Sequence, residues 1–190
     1  MNKNFLVVIF GIILSVSIYT TQKSNGNTNE KIIPSVNTPK IGFTTYQPQN
    51  GHSPYDTYFG KGIYNNNTSN SISVTAPYQV DIVFLLKNTS GKTIRNEYIL
   101  RGTKFNLTSI PYGTYNFSYF SGTSWSDEVT LNKNTIRGGF TKNKSFKKSE
   151  KIIDNLSFEY GHNTSYSITL TQVSNGNLRT QSSSENEFFN

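Results

Sequence analysis

The 190-residue chain contains no cysteine, and methionine, tryptophan and alanine each occur once. Without cysteine, the chain can form no disulfide and bind no metal through a thiolate. It also lacks the thiol that lipoprotein anchoring and cysteine catalysis both require. A lipid-modified cysteine and thiol chemistry are therefore excluded.

Apolar residues are scarce as well, at 34% of the chain, but aromatic residues reach 14%, with 12 tyrosines and 13 phenylalanines. Because each ring buries a large area, this composition predicts a core built mainly from rings. Few aliphatic residues, with many rings and hydroxyl side chains, favour strands over helices. The length suits one domain, which we place at residues 51–190, with a tail before it.

Acidic side chains number 11 against 18 lysines and arginines, so the formal charge is +7. Such a charge permits attraction to polyanions, but the basic residues are dispersed and do not favour nucleic acid. They cluster only at Lys142, Lys144, Lys147, Lys148 and Lys151. This cluster is open to three interpretations: a solvated loop, a polyanion contact, or a contact for a protein partner.

The first 19 residues have the pattern of a signal peptide, with Lys3 before an apolar stretch at residues 5–19. This predicts export to the periplasm, the cell surface or the extracellular space. Cleavage before Ile18 would follow the small residues Ser15 and Ser17. If the segment is not cleaved, it anchors the chain in the membrane, and this anchor is the only membrane contact that the sequence predicts. Residues 20–50 are rich in Asn, Thr, Gln and Pro and predict a flexible linker.

The domain itself shows strand patterns. Residues 71–75 alternate, and residues 80–87 are almost continuously apolar, which predicts a central strand buried on both faces and paired on both sides. Residues 93–100 predict its hairpin partner, with Tyr98 pointing inward and Arg95, Glu97 and Arg101 pointing outward, so that cross-strand charge pairing is favoured over an anion site.

Residues 101–119 predict two strands joined as a hairpin by a turn at Pro111 and Gly113. A short strand at residues 125–131 comes next, and then another that begins at Ile136 and ends at Gly138 and Gly139. The lysine-rich loop follows. Residues 155–160 and 166–173 predict a further pair of strands. An Asn-Gly hairpin at residues 174–177 leads to a final strand at 178–181.

At the end of the chain, Ser184 and Glu187 have the spacing of a capping box. We therefore expect one helical turn there, which would dock Phe188 and Phe189 on the domain.

Two glycines and the Pro111 turn carry a resemblance to known modules. The order is a turn with Gly91, a strand, Gly102-x-x-Phe105, and then Ile110-Pro111-x-Gly113-Thr114-Tyr115. This order resembles prealbumin-like modules such as carboxypeptidase regulatory-like and collagen-adhesin B-type repeats. The resemblance implies an all-β fold, a single antiparallel β-sandwich of prealbumin/immunoglobulin-like type. It implies no particular function, because such modules serve as spacers, binding domains and stalk repeats.

A second likeness extends over about residues 51–189. It is to an uncharacterised family of small exported proteins, mostly from Bacteroidetes. The segments that carry it are Ser53-Pro54-Tyr55-Asp56-x-Tyr58-Phe59-Gly60-x-Gly62-x-Tyr64, Ile94-Arg95-Asn96-Glu97-Tyr98-Ile99, Gly138-Gly139-Phe140, Ser145-Phe146-x-x-Ser149 and Ser184-Glu185-x-x-Phe188-Phe189. This likeness implies one intact domain but no ligand and no catalytic residue.

No constellation in the sequence indicates catalysis. His52 adjoins Ser53 and lies near Asp56, but a triad needs a base oriented toward its nucleophile, and no nucleophile elbow is present. Acid pairs such as Asp127 and Glu128 are typical of solvated positions. No metal-ligand spacing occurs, so neither a metal nor another cofactor is expected. We therefore expect a protein that is not an enzyme.

The aromatic residues provide the best candidates for ligand contact. They are Tyr55, Tyr58, Phe59 and Tyr64 in a glycine-containing loop, together with Trp125. Exposed rings stack on sugars or anchor protein interfaces, whereas buried rings would cap the open end of the sandwich or plug its core. The sequence predicts a non-enzymatic interaction module for a protein or glycan. A purely structural envelope or surface-assembly component, tethered by residues 20–50, is the alternative.

Overall fold

The computed structural model describes residues 46–150, 155–171 and 179–190. Within them the chain is a two-sheet β-sandwich with two short helices. The elements, in chain order, are α1 (Asp56–Phe59), β1 (Ser71–Thr75), β2 (Asp81–Asn88), β3 (Thr93–Ile99), β4 (Lys104–Thr108), β5 (Gly113–Leu131), β6 (Ile136–Ser149), β7 (Leu156–Phe158), β8 (Ser165–Thr169), β9 (Thr180–Ser182) and α2 (Glu185–Phe189).

β2 is an interior strand of the larger sheet, paired on both sides, as its apolar run predicts. It pairs with β3 on one side and with β5 on the other, both antiparallel. Its even-numbered apolar residues, such as Phe84, join the core between the two sheets, whereas Val83 and Leu85 join a second core on the sheet's outer face. Successive side chains of a strand point to opposite faces, so a continuous apolar run suits a strand that is covered twice.

The predicted hairpin at residues 101–119 is wrong, because its two strands lie in different sheets. β4 pairs with β1 in a three-stranded sheet of order β4-β1-β8. β5 belongs to the larger sheet, of order β3-β2-β5-β6-β9, with β7 also on β5. The turn at Pro111 therefore joins the two layers of the sandwich, and both strands contribute apolar side chains to the core between them.

The predicted pairing of residues 155–160 with 166–173 is also wrong. β7 pairs with β5, and β8 pairs with β1 in parallel, so the sandwich is not antiparallel throughout. The Tyr166 hydroxyl nevertheless links the two segments, since it donates to the Ser157 carbonyl at 3.0 Å and accepts from the Ser157 amide at 3.1 Å. The alternation that identified both strands does not encode which sheet each joins.

β5 and β6 form one long hairpin that continues through the glycines at which the sequence predicted β6 would end. Gly139 pairs with Ser126, and Phe140 pairs with Trp125. Two register shifts in β5 mark β-bulges, which bend a strand and increase its twist. The bend brings Trp125 against Tyr98, whose strand lies two positions away in the sheet, with ring centroids 5.3 Å apart. The hairpin thus covers the outer face of the sheet.

The lysine-rich segment lies within β6, so the prediction of a loop there is wrong. Lys142 and Lys144 are exposed, and Lys147 and Lys148 are half-buried. Lys151 lies outside the described residues, as do the signal segment, residues 20–45 of the predicted linker and the predicted 174–177 hairpin.

The capping box at the C-terminal helix α2 is confirmed. The Ser184 hydroxyl accepts from the Glu187 amide, and the Glu187 side chain accepts from the Ser184 amide. The helix buries Phe188 and Phe189 in the outer core, as its sequence predicts. Because so short a helix is marginal alone, this burial and the cap together account for its formation.

The last residues of the predicted linker, before residue 51, already contact the domain. Pro48 is buried, and the Asn50 side chain accepts a hydrogen bond from the Leu100 amide at 3.0 Å. Among the described residues, none forms a helix long and apolar enough to span a bilayer.

Candidate functional site

A polar groove of about 510 Å³ opens on the outer face of the larger sheet, beside α2. Three neighbouring strands supply its floor, since Lys87 of β2 pairs with Asn116 of β5, and Ser118 of β5 pairs with Lys148 of β6. The lining residues are Lys87, Thr89, Ser90, Gly91, Asn116, Phe117, Ser118, Lys148, Ser149, Asn155, Asn186, Glu187 and Asn190. We call this cavity the polar groove.

Lys87 is the most buried charged residue of the polar groove, at 5% exposure. Its ammonium group donates to the Phe188 carbonyl at 2.8 Å and to the Glu187 carbonyl at 3.3 Å. Burial, followed by repulsion from Lys148, lowers the pKa of Lys87 from 10.5 to about 8. Lys87 therefore holds the last turn of α2, where a cation is favoured by the helix carbonyls.

Lys148 and Glu187 form an ion pair of 2.8 Å at the rim of the polar groove. The hydrogen bond from Lys148, and then those from the Ser184 amide and the Ser183 hydroxyl, lower the pKa of Glu187 to about 2. Both side chains are partly exposed, so the pair is well placed to rearrange around a ligand at small cost.

Neutral hydrogen-bonding groups complete the lining. Ser90 is held by the Asn88 carboxamide, which accepts from both its amide and its hydroxyl. The side chains of Asn116 and Asn155 also line the groove, and neither forms a hydrogen bond to a described residue. Groups of this kind bind hydroxyls, carbonyls and carboxylates, and nothing in the lining resembles a catalytic pair.

Two of the five predicted contact rings, Tyr55 and Trp125, lie in the outer core. Tyr55 is fully buried, its ring centroid lies 6.2 Å from that of Trp125, and its hydroxyl donates to the Gly138 carbonyl at 3.1 Å. Trp125 is 3% exposed, and its indole N–H donates to Asp127 at 2.8 Å. The sequence left open whether these two rings contact a ligand or are buried. Both are buried in the core, and neither offers a surface to a ligand.

The other three rings lie near the surface but do not form one patch. Phe59 is half-buried and stacks on Phe189 with centroids 6.1 Å apart, and Tyr58 packs edge-on against Phe59. Tyr64 is 52% exposed, and the Arg95 guanidinium lies 4.2 Å from its ring centroid. Within the described part of the chain, no ring contact joins Tyr58 to Tyr64.

Of the four predicted polyanion contacts that the structure describes, only Lys148 lines the polar groove. Sequence reasoning missed Lys87, although one signal was present: this charged residue directly follows the apolar run Ile82 to Leu86 within a single strand. Asn116 carries no such signal, because its place beside Lys87 depends on the β2–β5 register.

The histidines show no catalytic arrangement. The Ser53 hydroxyl donates to Glu97 at 3.3 Å rather than to an imidazole. Among the residues described, no group of three or more His, Asp or Glu side chains could hold a metal ion.

Comparisons of the sequence with protein-family models and with curated proteins returned no match.

Proposed function

We propose that this chain is a non-enzymatic, exported interaction module that binds a glycan or a protein at the cell envelope or outside the cell. The polar groove is the single observation that carries the proposal. Its volume of about 510 Å³ is in the range of small-molecule sites, and it is concave and rich in hydrogen-bonding side chains. Such a lining recognises a ligand by geometry and requires no reacting group.

The sandwich itself is proposed to be of the prealbumin/immunoglobulin-like type. Its support is the Tyr115 hydroxyl, which donates to the Pro111 carbonyl four residues upstream at 3.0 Å. A tyrosine bonded back to the chain at such a corner is a hallmark of immunoglobulin-like Greek-key sandwiches. Folds of this kind present binding surfaces on a rigid frame, which agrees with an interaction role.

Export is proposed from the apolar N-terminal segment with its preceding lysine. Absence of cysteine, and of an oriented nucleophile among the described residues, supports a binding role over an enzymatic one, as does the Ser53 hydroxyl bonded to a carboxylate. The alternative, a tethered structural component of the envelope, predicts a stoichiometric partner that co-purifies from envelope extracts.

The test is a glycan-array screen of the full chain, with bound sugars then titrated by calorimetry. An Asn116→Ala/Asn155→Ala variant should lose most of the affinity, because two amides that line the polar groove are removed. The matched control is Asn66→Ala/Asn67→Ala, which removes two amides from an exposed turn outside it. Equal affinity in the two variants would place the binding site elsewhere and contradict the proposal.

A further inference from the structure

The charge on Lys87 has no carboxylate partner among the described residues. Its two hydrogen bonds go to main-chain carbonyls, and the ion pairs of the structure join other residues. Buried charges in proteins are ordinarily paired, because desolvation of a lone charge is costly. Lys87 is buried to 95% and yet lines a groove that solvent can enter. Its unpaired charge is therefore available to an anion that enters this groove.

Lys148 reinforces this positive character. It lines the same groove, and its one carboxylate partner, Glu187, is 48% exposed at the rim. Among the described residues, the charged side chains of the lining are thus two ammonium groups against one carboxylate. An anionic group seated between the lysines would relieve their mutual repulsion and provide the missing partner for Lys87.

The rest of the lining points to hydroxyl groups on the same ligand. Four asparagines, three serines and a threonine line the polar groove, and its single ring, Phe117, is completely buried. A protein partner would anchor itself through large apolar side chains, and among the described lining residues no large apolar side chain is exposed to receive them. Many amides and hydroxyls around a positive centre instead suit a polyhydroxylated anion.

We propose that the polar groove binds a carboxylated saccharide, with Lys87 and Lys148 holding the carboxylate and the asparagine amides holding the sugar hydroxyls. This inference rests on the proposed function and gives its ligand a chemical class. Lys87 is placed to receive a carboxylate because α2 fixes its ammonium group at the floor. Lys148 is placed to move toward one because its pairing with Glu187 is partly exposed to solvent.

The experiment compares two probes, an oligomer of galacturonic acid and a galactose oligomer of the same length, by calorimetry on the full chain. We expect the acidic oligomer to bind about tenfold more tightly, the usual gain from a charge-assisted hydrogen bond. Lys148→Met should remove most of this preference while leaving the galactose oligomer unaffected. Lys144→Met is the matched control, since it deletes the same charge from the same strand outside the groove.

A second variant and a third probe make each outcome decisive. Lys87→Met, with circular dichroism to establish that it is folded, should abolish the preference for the acidic oligomer. The two oligomers could bind equally well to the wild type and both fail to bind to Asn116→Ala/Asn155→Ala. This result would overturn the carboxylate inference but would support the glycan function. Inorganic phosphate binding as tightly as the acidic oligomer would also overturn it, because the sugar would then contribute nothing. Failure of every oligosaccharide to bind would contradict the carboxylate inference and the glycan part of the proposed function together.

Discussion

Arg95 and Glu97 form an ion pair of 2.6 Å within a single strand, and both side chains are at least 96% buried. The sequence correctly placed both on one face of β3, but its prediction that the face is exposed is wrong. They lie on the side of the core between the sheets, where Arg95 also donates to the Thr108 carbonyl at 3.1 Å. The segment carrying Ser53 and Tyr64 covers them, a contact that alternation along β3 does not encode.

Because the pair is buried, removing one of its two charges should lower the free energy of unfolding far more than replacing both residues. Glu97→Gln should lower the free energy of unfolding by about 3 to 5 kcal/mol, because it leaves the Arg95 charge uncompensated in the core. The double variant Arg95→Met/Glu97→Leu should be far less destabilised, since no charge is then buried. Urea denaturation of both variants checks this. A double variant as unstable as the single one would contradict a cost that arises from the lone charge.

Lys87 predicts an unusual pH dependence of stability. Its pKa of about 8 in the fold is below its usual 10.5, so between these values the unfolded chain holds more protons than the folded one. The free energy of unfolding should therefore rise as pH increases from about 8, provided that the range ends before pH 10. Above that, tyrosine ionisation reverses the trend, because burial raises the pKa of Tyr98.

Denaturation of the wild type and Lys87→Met at successive pH values measures this contribution. The other ionisable side chains that line the groove in the described part of the chain are Lys148 and Glu187, and both are retained in the variant. The rise in stability should be present in the wild type and absent from the variant. Parallel profiles would show that Lys87 has an ordinary pKa in the fold.

Trp125 is the only tryptophan of the chain, so its fluorescence reports on the outer core alone. Because it is 3% exposed and packed against Tyr55, Tyr98 and Phe140, its emission should be blue-shifted and protected from iodide. Saturation of the polar groove with a ligand should leave this emission unchanged, since Trp125 does not line it. Strong iodide quenching in the native protein would contradict the core position.

Tyr115 predicts a test of the corner at Pro111. Tyr115→Phe removes the hydroxyl that donates to the Pro111 carbonyl and should lower the free energy of unfolding by about 1 kcal/mol. Tyr78→Phe is the control, since Tyr78 is 75% exposed and its loss of a hydroxyl should change little. Urea denaturation of the two variants compares them, and equal stability would remove the support that this corner gives to the proposed fold type.

The same corner shows how far the sequence could be interpreted. Alternation identified most strands, because burial of one face leaves a periodic trace in each. It failed at the Pro111 turn, since a hairpin within one sheet and a connection between two sheets need the same turn residues and the same apolar strands. It failed for the polar groove as well, because Lys87, Asn116 and Lys148 lie far apart in the chain and meet only through strand register.

Gly138 should not tolerate a larger residue, because it lies against Trp125. Its φ of +93° is one that other residues resist, and an added Cβ would lie 2.8 Å from the Trp125 ring. Gly138→Ala should cost about 1 to 2 kcal/mol in backbone strain and about 1 to 3 kcal/mol in overpacking. Gly161→Ala is the matched control, because its φ is +81° and a Cβ there meets nothing within 4 Å.

Denaturation of the two alanine variants separates the two costs. Gly161→Ala should show the backbone strain alone, and Gly138→Ala should be less stable by the additional cost of moving Trp125. The fluorescence of Trp125 should shift in Gly138→Ala and stay constant in Gly161→Ala, because only the first added methyl group contacts the indole. Equal destabilisation with unchanged fluorescence would mean that the β5–β6 hairpin does not press Gly138 against Trp125 as the structure places them.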